Sequence, residues 1–222
     1  MATTSKPPRG RPKDESLPER RREQILEAAT AVFAQDGYPN TDIQVIADRL
    51  VLSKGTVYRY FPSKQELFFA AVDRGLRRLH ETVTAAADPV ADTLDRLAVA
   101  VRTYLAFFKG CPELVELLIQ ERAEFRDRKK SVYFEHRDAR IGPWRGQLQA
   151  LIAAGRLRDV PVERIVDVVG DLVYGTMFTN HFAGRHKPHE AQAEDILDVV
   201  FRGILSNSER RAADAPRSEE TD

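Results

Sequence analysis

Residues 53–64 read SKGTVYRYFPSK, a short segment holding two lysines, an arginine, two tyrosines and a glycine, with no acid among them. Such a set suits a phosphate-bearing polymer. Lys54 and Lys64 meet phosphates as point charges, Tyr58 and Tyr60 hydrogen-bond a phosphate or stack on a sugar or a thymine methyl, and Gly55 lets the backbone come close to base edges. Thr41, at a predicted helix N-terminus, offers a hydroxyl beside the positive end of a helix dipole, a second place for a phosphate. The plainer reading makes Lys54, Arg59 and Lys64 a solvated helix face, and residue types alone leave both readings open.

These side chains need a scaffold, and the sequence punctuates one clearly. Ser16-Leu17-Pro18-Glu19 has the form of a capping box, in which hydroxyl and carboxylate satisfy backbone donors reciprocally. The helix it opens carries Ile25, Ala28, Ala29, Val32 and Phe33 on one stripe and stops at Gly37. A second box, Thr41 to Gln44, predicts a short helix with Ile43, Ile46, Ala47 and Leu50 inward. Ser53 caps a third with Val57 and Phe61 inward, and a box from Ser63 to Glu66 opens a longer helix to about Ala87, burying Leu67, Ala71 and Leu76. Three short helices followed by a long one bury a core by packing as a trihelical unit, and the turn of about three residues at Val51 to Ser53 gives a helix-turn-helix layout.

Beyond Ala87 the pattern remains helical. Asp88-Pro89 reads as an N-cap with proline at the first helical position, ahead of a stripe from Leu94 to Phe108 that ends at Gly110. Pro112 opens another helix with Leu114, Val115, Leu117 and Leu118 inward. Residues 128–154 are helical in pattern with a break at Gly142-Pro143 and a stop at Gly155. Pro161 starts a helix to about Phe182, and residues 190–208 form the last, with Ile196, Leu197, Val200, Phe201, Ile204 and Leu205 apolar. The fold class expected is therefore all-α, a three-helix N-terminal helix-turn-helix domain (16–63) followed by a C-terminal helical bundle (64–208). A basic arm (1–15) and a charged tail (209–222) lack the apolar residues to fold.

Composition narrows the function classes. The chain has 222 residues, 42% of them hydrophobic, which is enough for a sizeable core. Its formal net charge is zero, but residues 1–64 carry a surplus of three basic charges, balanced by the remainder. No apolar run is long enough to span a bilayer and the N-terminus lacks an apolar signal stretch, so a cytoplasmic location without a membrane partner is expected. The single cysteine, Cys111, forms no internal disulfide and no thiolate cluster. The His181, His186 and His189 trio spans a predicted loop without a carboxylate at a helical offset, so no metal or other cofactor is expected. An enzyme is the competing class, and the chain offers neither a phosphate-binding glycine loop nor a Ser-His-Asp order in a strand-turn-helix context.

The run from Arg20 to Val72 closely resembles the N-terminal domain of the TetR family of transcriptional regulators. The resemblance rests on Gly37-Tyr38, on Ile46-Ala47, and on Ser-Lys-Gly-Thr-Val-Tyr-x-Tyr-Phe-x-Ser-Lys over residues 53–64. It implies an all-helical homodimer that binds double-stranded operator DNA through paired helix-turn-helix units, usually represses, and lets go when a small effector enters the C-terminal domain. Carried over by position, it makes Lys54, Gly55, Thr56, Tyr58 and Tyr60 recognition-helix contacts, Lys64 a phosphate contact, and Thr41 and Gln44 contacts from the second helix. One position departs from the pattern: glycine is common in the turn where this chain has Val51, and a β-branched residue there either remodels the turn or is strained.

Two further expectations follow. Arg9-Gly10-Arg11-Pro12-Lys13 resembles an AT-hook core, whose arginines enter a narrow minor groove, with a solubilising tail as the alternative. In the C-terminal half, Phe107, Phe108, Leu114, Leu118, Phe125, Trp144, Tyr174, Met177 and Phe178 are candidates to line an effector cavity, with Glu121, His136, Arg140, Asn180 and His181 as polar groups that orient the ligand. The helices around Val166 to Phe178 and Ile196 to Leu205 carry wide apolar faces with Gly170 and Gly175, as a dimer interface requires.

Overall fold

A computed structural model describes residues 17–184 and 187–203. The expectations for Arg9, Arg11, Ser16, His186, Ile204, Leu205 and the C-terminal tail lie outside those residues. The described residues contain helix and no strand, in the order α1 (Leu17–Asp36), α2 (Ile43–Arg49), α3 (Lys54–Tyr60), α4 (Lys64–Ala87), α5 (Thr93–Gly110), α6 (Pro112–Glu124), α7 (Val132–Arg140), α8 (Gly142–Ala153), α9 (Val162–Ala183) and α10 (His189–Arg202). They fall into two compact units, Met1–Arg74 with Leu117–Asp127, and Gly75–Glu116 with Arg128–Asp222.

The first unit thus reaches past residue 63 and takes in the end of α6. The reason is aromatic packing. Tyr38 and Phe68 meet Phe125, and Phe33 packs on both of them, with ring centroids 4.8 Å apart for Tyr38 and Phe125 and 5.2 Å for Phe33 and Phe68. Gln120 Nε2 also donates to the Phe33 carbonyl at 2.8 Å. Ile25, Leu26, Val32, Ile46, Val57, Phe61 and Leu67 complete the buried core. Leu26 and Phe68 belong to it although the periodic stripes omitted them.

Two helix starts differ from the expected ones. The cap of α2 is Asp42, whose Oδ1 accepts the Gln44 amide at 2.9 Å, and not Thr41. Thr41 is only 4% exposed, and its hydroxyl turns inward to donate to the Gly37 carbonyl at 2.7 Å. The cap of α5 is Asp92, which accepts from Leu94 and Asp95, and not Asp88, whose amide still donates to Thr84 at the end of α4. Ser53 and Ser63 cap α3 and α4 as expected. Helices α7 and α8 break at Ile141, just before Pro143. Helix α10 stops at Arg202, short of the expected residue 208, with Gly203 at its C-cap.

The turn between α2 and α3 resolves the question raised by Val51. The Leu52 amide donates to Ala47 at 2.9 Å and the Val51 amide to Asp48 at 3.1 Å, the paired bonds of a Schellman motif. That motif places Val51 in the left-handed region, at φ 54°, the one non-glycine residue with positive φ among those described. The turn keeps its geometry and carries the strain. Val51 is 93% exposed, so its side chain contributes almost no packing in return. Left-handed backbone costs an L-residue roughly 1–2 kcal/mol, partly offset by the greater unfolded-state entropy of glycine. Val51→Gly is therefore expected to stabilise the fold by about 1 kcal/mol, read as a rise of a few degrees in the thermal midpoint.

Candidate nucleic-acid interface and effector cavity

Helix α3 turns Val57 and, just past its end, Phe61 into the core and leaves Lys54, Gly55, Tyr58 and Arg59 on the outer side. A Cβ built on Gly55 would meet only Ser53 Oγ, at 3.9 Å. The fold itself does not need glycine there, so the bare backbone is available to a partner. Thr56 is part of the cap, its amide bonded to Ser53 Oγ and its hydroxyl 2.9 Å from the same oxygen. Tyr60 is half-buried, with the Arg59 guanidinium 5.6 Å from its ring centroid.

Three expected contacts have other roles in the free protein. Thr41 offers no hydroxyl to solvent, for the reason given above. Lys64 donates to the carbonyls of Pro39 and Thr41 at 3.0 and 2.9 Å and lies 4.8 Å from the Tyr38 ring centroid, tying the α1–α2 connection to the start of α4. Gln44 Nε2 donates to Asp48 Oδ1 at 2.7 Å. The face is also less free of acid than the sequence of α3 implies, because Lys54 Nζ donates to Asp42 Oδ1 at 2.7 Å. The Gln44 amide and then Lys54 hold the Asp42 carboxyl below its ordinary range, and Asp42 pushes the Lys54 ammonium up. Asp42 is a residue the sequence reading missed. An aspartate beside a helix start signals a cap, but nothing in its spacing signals a partner on the next helix.

The second unit holds an open-sided cavity of about 610 Å³. Leu97, Val101, Trp144, Val169 and Val173 make its apolar wall, and the Tyr104 and Tyr133 hydroxyls meet beside it at 2.8 Å. Burial raises both phenols, Tyr133 to about 12, so they stay protonated. Among the described residues the ionisable lining is mostly basic: Arg96, Arg137, Arg140 and His80 against the carboxylate of Asp88. His80 stacks on His136, whose Nδ1 lies 3.1 Å from an Arg140 amine. Burial and then the Arg140 and His136 charges push His80 down to about 4, leaving it neutral near pH 7. Gln147 Oε1 is buried at the wall without a hydrogen-bond partner among the described residues.

Of the candidates named for this cavity, Trp144 and Arg140 line it. His136 stands behind the lining, against His80 and Arg140. Phe108, Met177 and His181 line a second, smaller cavity of about 450 Å³, where His181 Nε2 meets Glu116 at 2.7 Å. Phe107 packs edge-on against Phe108. Tyr174 and Phe178 stack in series behind Tyr133. Leu118, Glu121 and Phe125 are residues of the first unit, where Leu118 and Glu121 are buried and Phe125 joins the aromatic cluster. Gly170 lines the larger cavity instead of an outer face. No group of three metal-ligating side chains forms among the described residues.

Residues 25–71, which carry α2, the strained turn and α3, match the bacterial regulatory proteins of the tetR family. Over this stretch the chain carries a DNA-binding domain of the TetR type. Over 208 residues, 93% of this chain and 91% of the relative, it is 24% identical to the HTH-type transcriptional regulator HbdR of Aromatoleum sp.. Over 98 residues it is 37% identical to the transcriptional activator FasR of Mycolicibacterium smegmatis, a stretch covering 44% of this chain and 42% of that one. The fold matches that of the transcriptional regulator FadR from Bacillus subtilis, solved in complex with stearoyl-CoA, with a TM-score of 0.69 at 18% identity over 82% of this chain and 99% of that one. The matched stretch places a TetR-type DNA-binding helix-turn-helix in α2 and α3. Among the described residues, no helix is long and apolar enough to cross a membrane.

Proposed function

We propose that this protein is a TetR-family regulator, a homodimeric repressor that sits on an operator through α3 and leaves it when an amphipathic anion enters the large cavity. The cavity carries this reading. Its volume of about 610 Å³ lies in the range of small-molecule sites, and its wall is apolar with the charge confined to a few side chains. Arginines outnumber carboxylates in the lining, so an anionic group gains where a cation would be repelled. FadR, which shares the fold, holds stearoyl-CoA, a long acyl chain joined to a phosphate-bearing carrier.

The route to the reading head is covalent. Helix α4 starts at Lys64, buries Leu67 and Phe68 in the first unit, and ends among Leu79, His80, Val83 and Ala87, which line the cavity. An effector that binds one placement of this helix better than another shifts the population between DNA-competent and DNA-incompetent forms. A dimer on a promoter excludes polymerase, so release relieves repression; FasR, named an activator, marks the same domain at work with the opposite sign.

The test selects duplexes bound by the purified full chain from a random pool, then titrates the complex with dodecanoate and with dodecanol. Trp144 is the only tryptophan in the chain and lines the cavity, so its fluorescence reports occupancy directly. Dodecanoate is expected to bind about tenfold tighter than the alcohol, the value of one added charged hydrogen bond, and to release the DNA. A pool that yields no recurring sequence overturns the operator reading. A selected operator that neither compound releases, with Trp144 unperturbed, overturns the effector reading.

A further inference from the structure

Every long polar side chain assigned to the DNA face from α2 or from the start of α3 ends on a carboxylate of α2. Lys54 Nζ meets Asp42 Oδ1 at 2.7 Å, and Gln44 Nε2 meets Asp48 Oδ1 at 2.7 Å. The Asp42 oxygen also accepts the Gln44 amide at 2.9 Å, so its position is fixed by the α2 backbone and not by Lys54. Lys54 is the first residue of α3 and no acid lies within that helix. The ammonium is therefore neutralised from a neighbouring helix, by a group that stays in place when Lys54 leaves.

We propose that Asp42 sets the specificity of DNA binding, holding Lys54 in the free protein and in non-specific complexes and yielding it only to a correctly docked operator. The inference rests on the reading that α3 contacts DNA. Lys54 and Asp42 are both well exposed, 41% and 57%, and an exposed pair of this kind is weak. A phosphate or base edge placed well by the whole interface outcompetes it. A phosphate met at a loose, sliding register does not, and Lys54 then stays on Asp42, contributing no contact. Asp42 thus subtracts one phosphate contact from non-specific binding while leaving it in the specific complex. Because non-specific affinity is made of phosphate contacts, this widens the ratio between the two.

Asp42→Asn tests it, because asparagine caps a helix as well as aspartate and removes only the charge. The affinity of the full chain is measured against salt for the selected operator and for a mixed-sequence duplex of equal length. With Lys54 released, the non-specific salt slope is expected to steepen by about 0.9, one phosphate, and non-specific affinity to rise by about three- to tenfold. Operator affinity rises less and its slope stays as it was, so the specificity ratio falls. Equal gains on both duplexes with equal slopes, or no change on either, overturn the proposal. Asp42→Ser, another capping residue, must reproduce the result; a discrepancy with Asp42→Asn overturns it too. Lys54→Gln separates the layers. If it leaves operator affinity unchanged, Lys54 makes no operator contact and this inference fails; the α3 reading fails with it only if Tyr58→Ala is silent too. If it lowers operator affinity while Asp42→Asn leaves the ratio intact, only the role of Asp42 fails.

Discussion

Lys54→Ala and Tyr58→Ala each lower operator affinity by about 10- to 100-fold in a mobility-shift assay, the loss of roughly 1–3 kcal/mol that accompanies removal of one good contact. The thermal midpoint of either variant stays within a few degrees of the parent. The asymmetry follows from burial. The core of the first unit is closed by Val57 and Phe61 on the opposite side of α3, and neither substitution touches them. Lys54 gives up only an exposed pair with Asp42, which contributes little to stability. Tyr58 stands in the open, with 38% of its surface exposed before any partner arrives. The two variants also differ in a way that identifies the contact. Losing Lys54 should flatten the salt dependence of operator binding by about one phosphate, whereas losing Tyr58, a neutral group, should leave that slope alone. Parent affinity for both variants would remove α3 from the interface.

The helices were largely legible in the sequence because their starts, stops and stripes are local properties. What was not legible depends on choices between neighbours. Thr41 and Asp42 are both good caps one residue apart, and burial of the Thr41 hydroxyl against Gly37 decides for the aspartate. Asp88 and Asp92 pose the same choice, decided by how far α4 continues. Val51 was recognised as unsuited to its turn, and the structure shows that the Schellman bonds hold it there at positive φ. The cavity was the least accessible part. Periodicity identifies a buried stripe on α5, but not whether each residue meets a neighbouring helix or a void. Tyr104 lines the larger cavity, while Phe108, one turn along the same stripe, lines the smaller one. Leu118, Glu121 and Phe125 were placed in the sensing half by chain order, whereas the fold returns the end of α6 to the first unit. His80, Arg137 and Arg96, ordinary surface residues by type, gain their significance only from the wall they share.

Leu172→Glu is expected to convert the protein to a monomer at micromolar concentration, seen by sedimentation, and to cost operator affinity at least about 100-fold. Helix α9 leaves Val168, Leu172 and Phe182 exposed, at 51%, 37% and 69%, and nothing lies within 4 Å of a Cβ built on Gly175. At 3.6 residues per turn these four share one face, and Val199 and Phe201 on α10 are likewise uncovered. A face of that kind, uncovered by any of the described residues, is what a second copy would cover. In a two-fold interface both copies contribute the same patch, so one substitution introduces two carboxylates that must both be desolvated. The penalty exceeds what a single leucine contributes. A monomer keeps one α3 and so loses the second half-site, whose binding in the dimer is effectively intramolecular. Leu172 does not line the cavity, so Trp144 fluorescence should still report effector binding with the parent affinity. That combination separates assembly from folding: an unfolded variant loses the fluorescence response together with the dimer, whereas a folded monomer loses the operator alone. A Leu172→Glu protein that sediments as a dimer would assign the two-fold contact to another face.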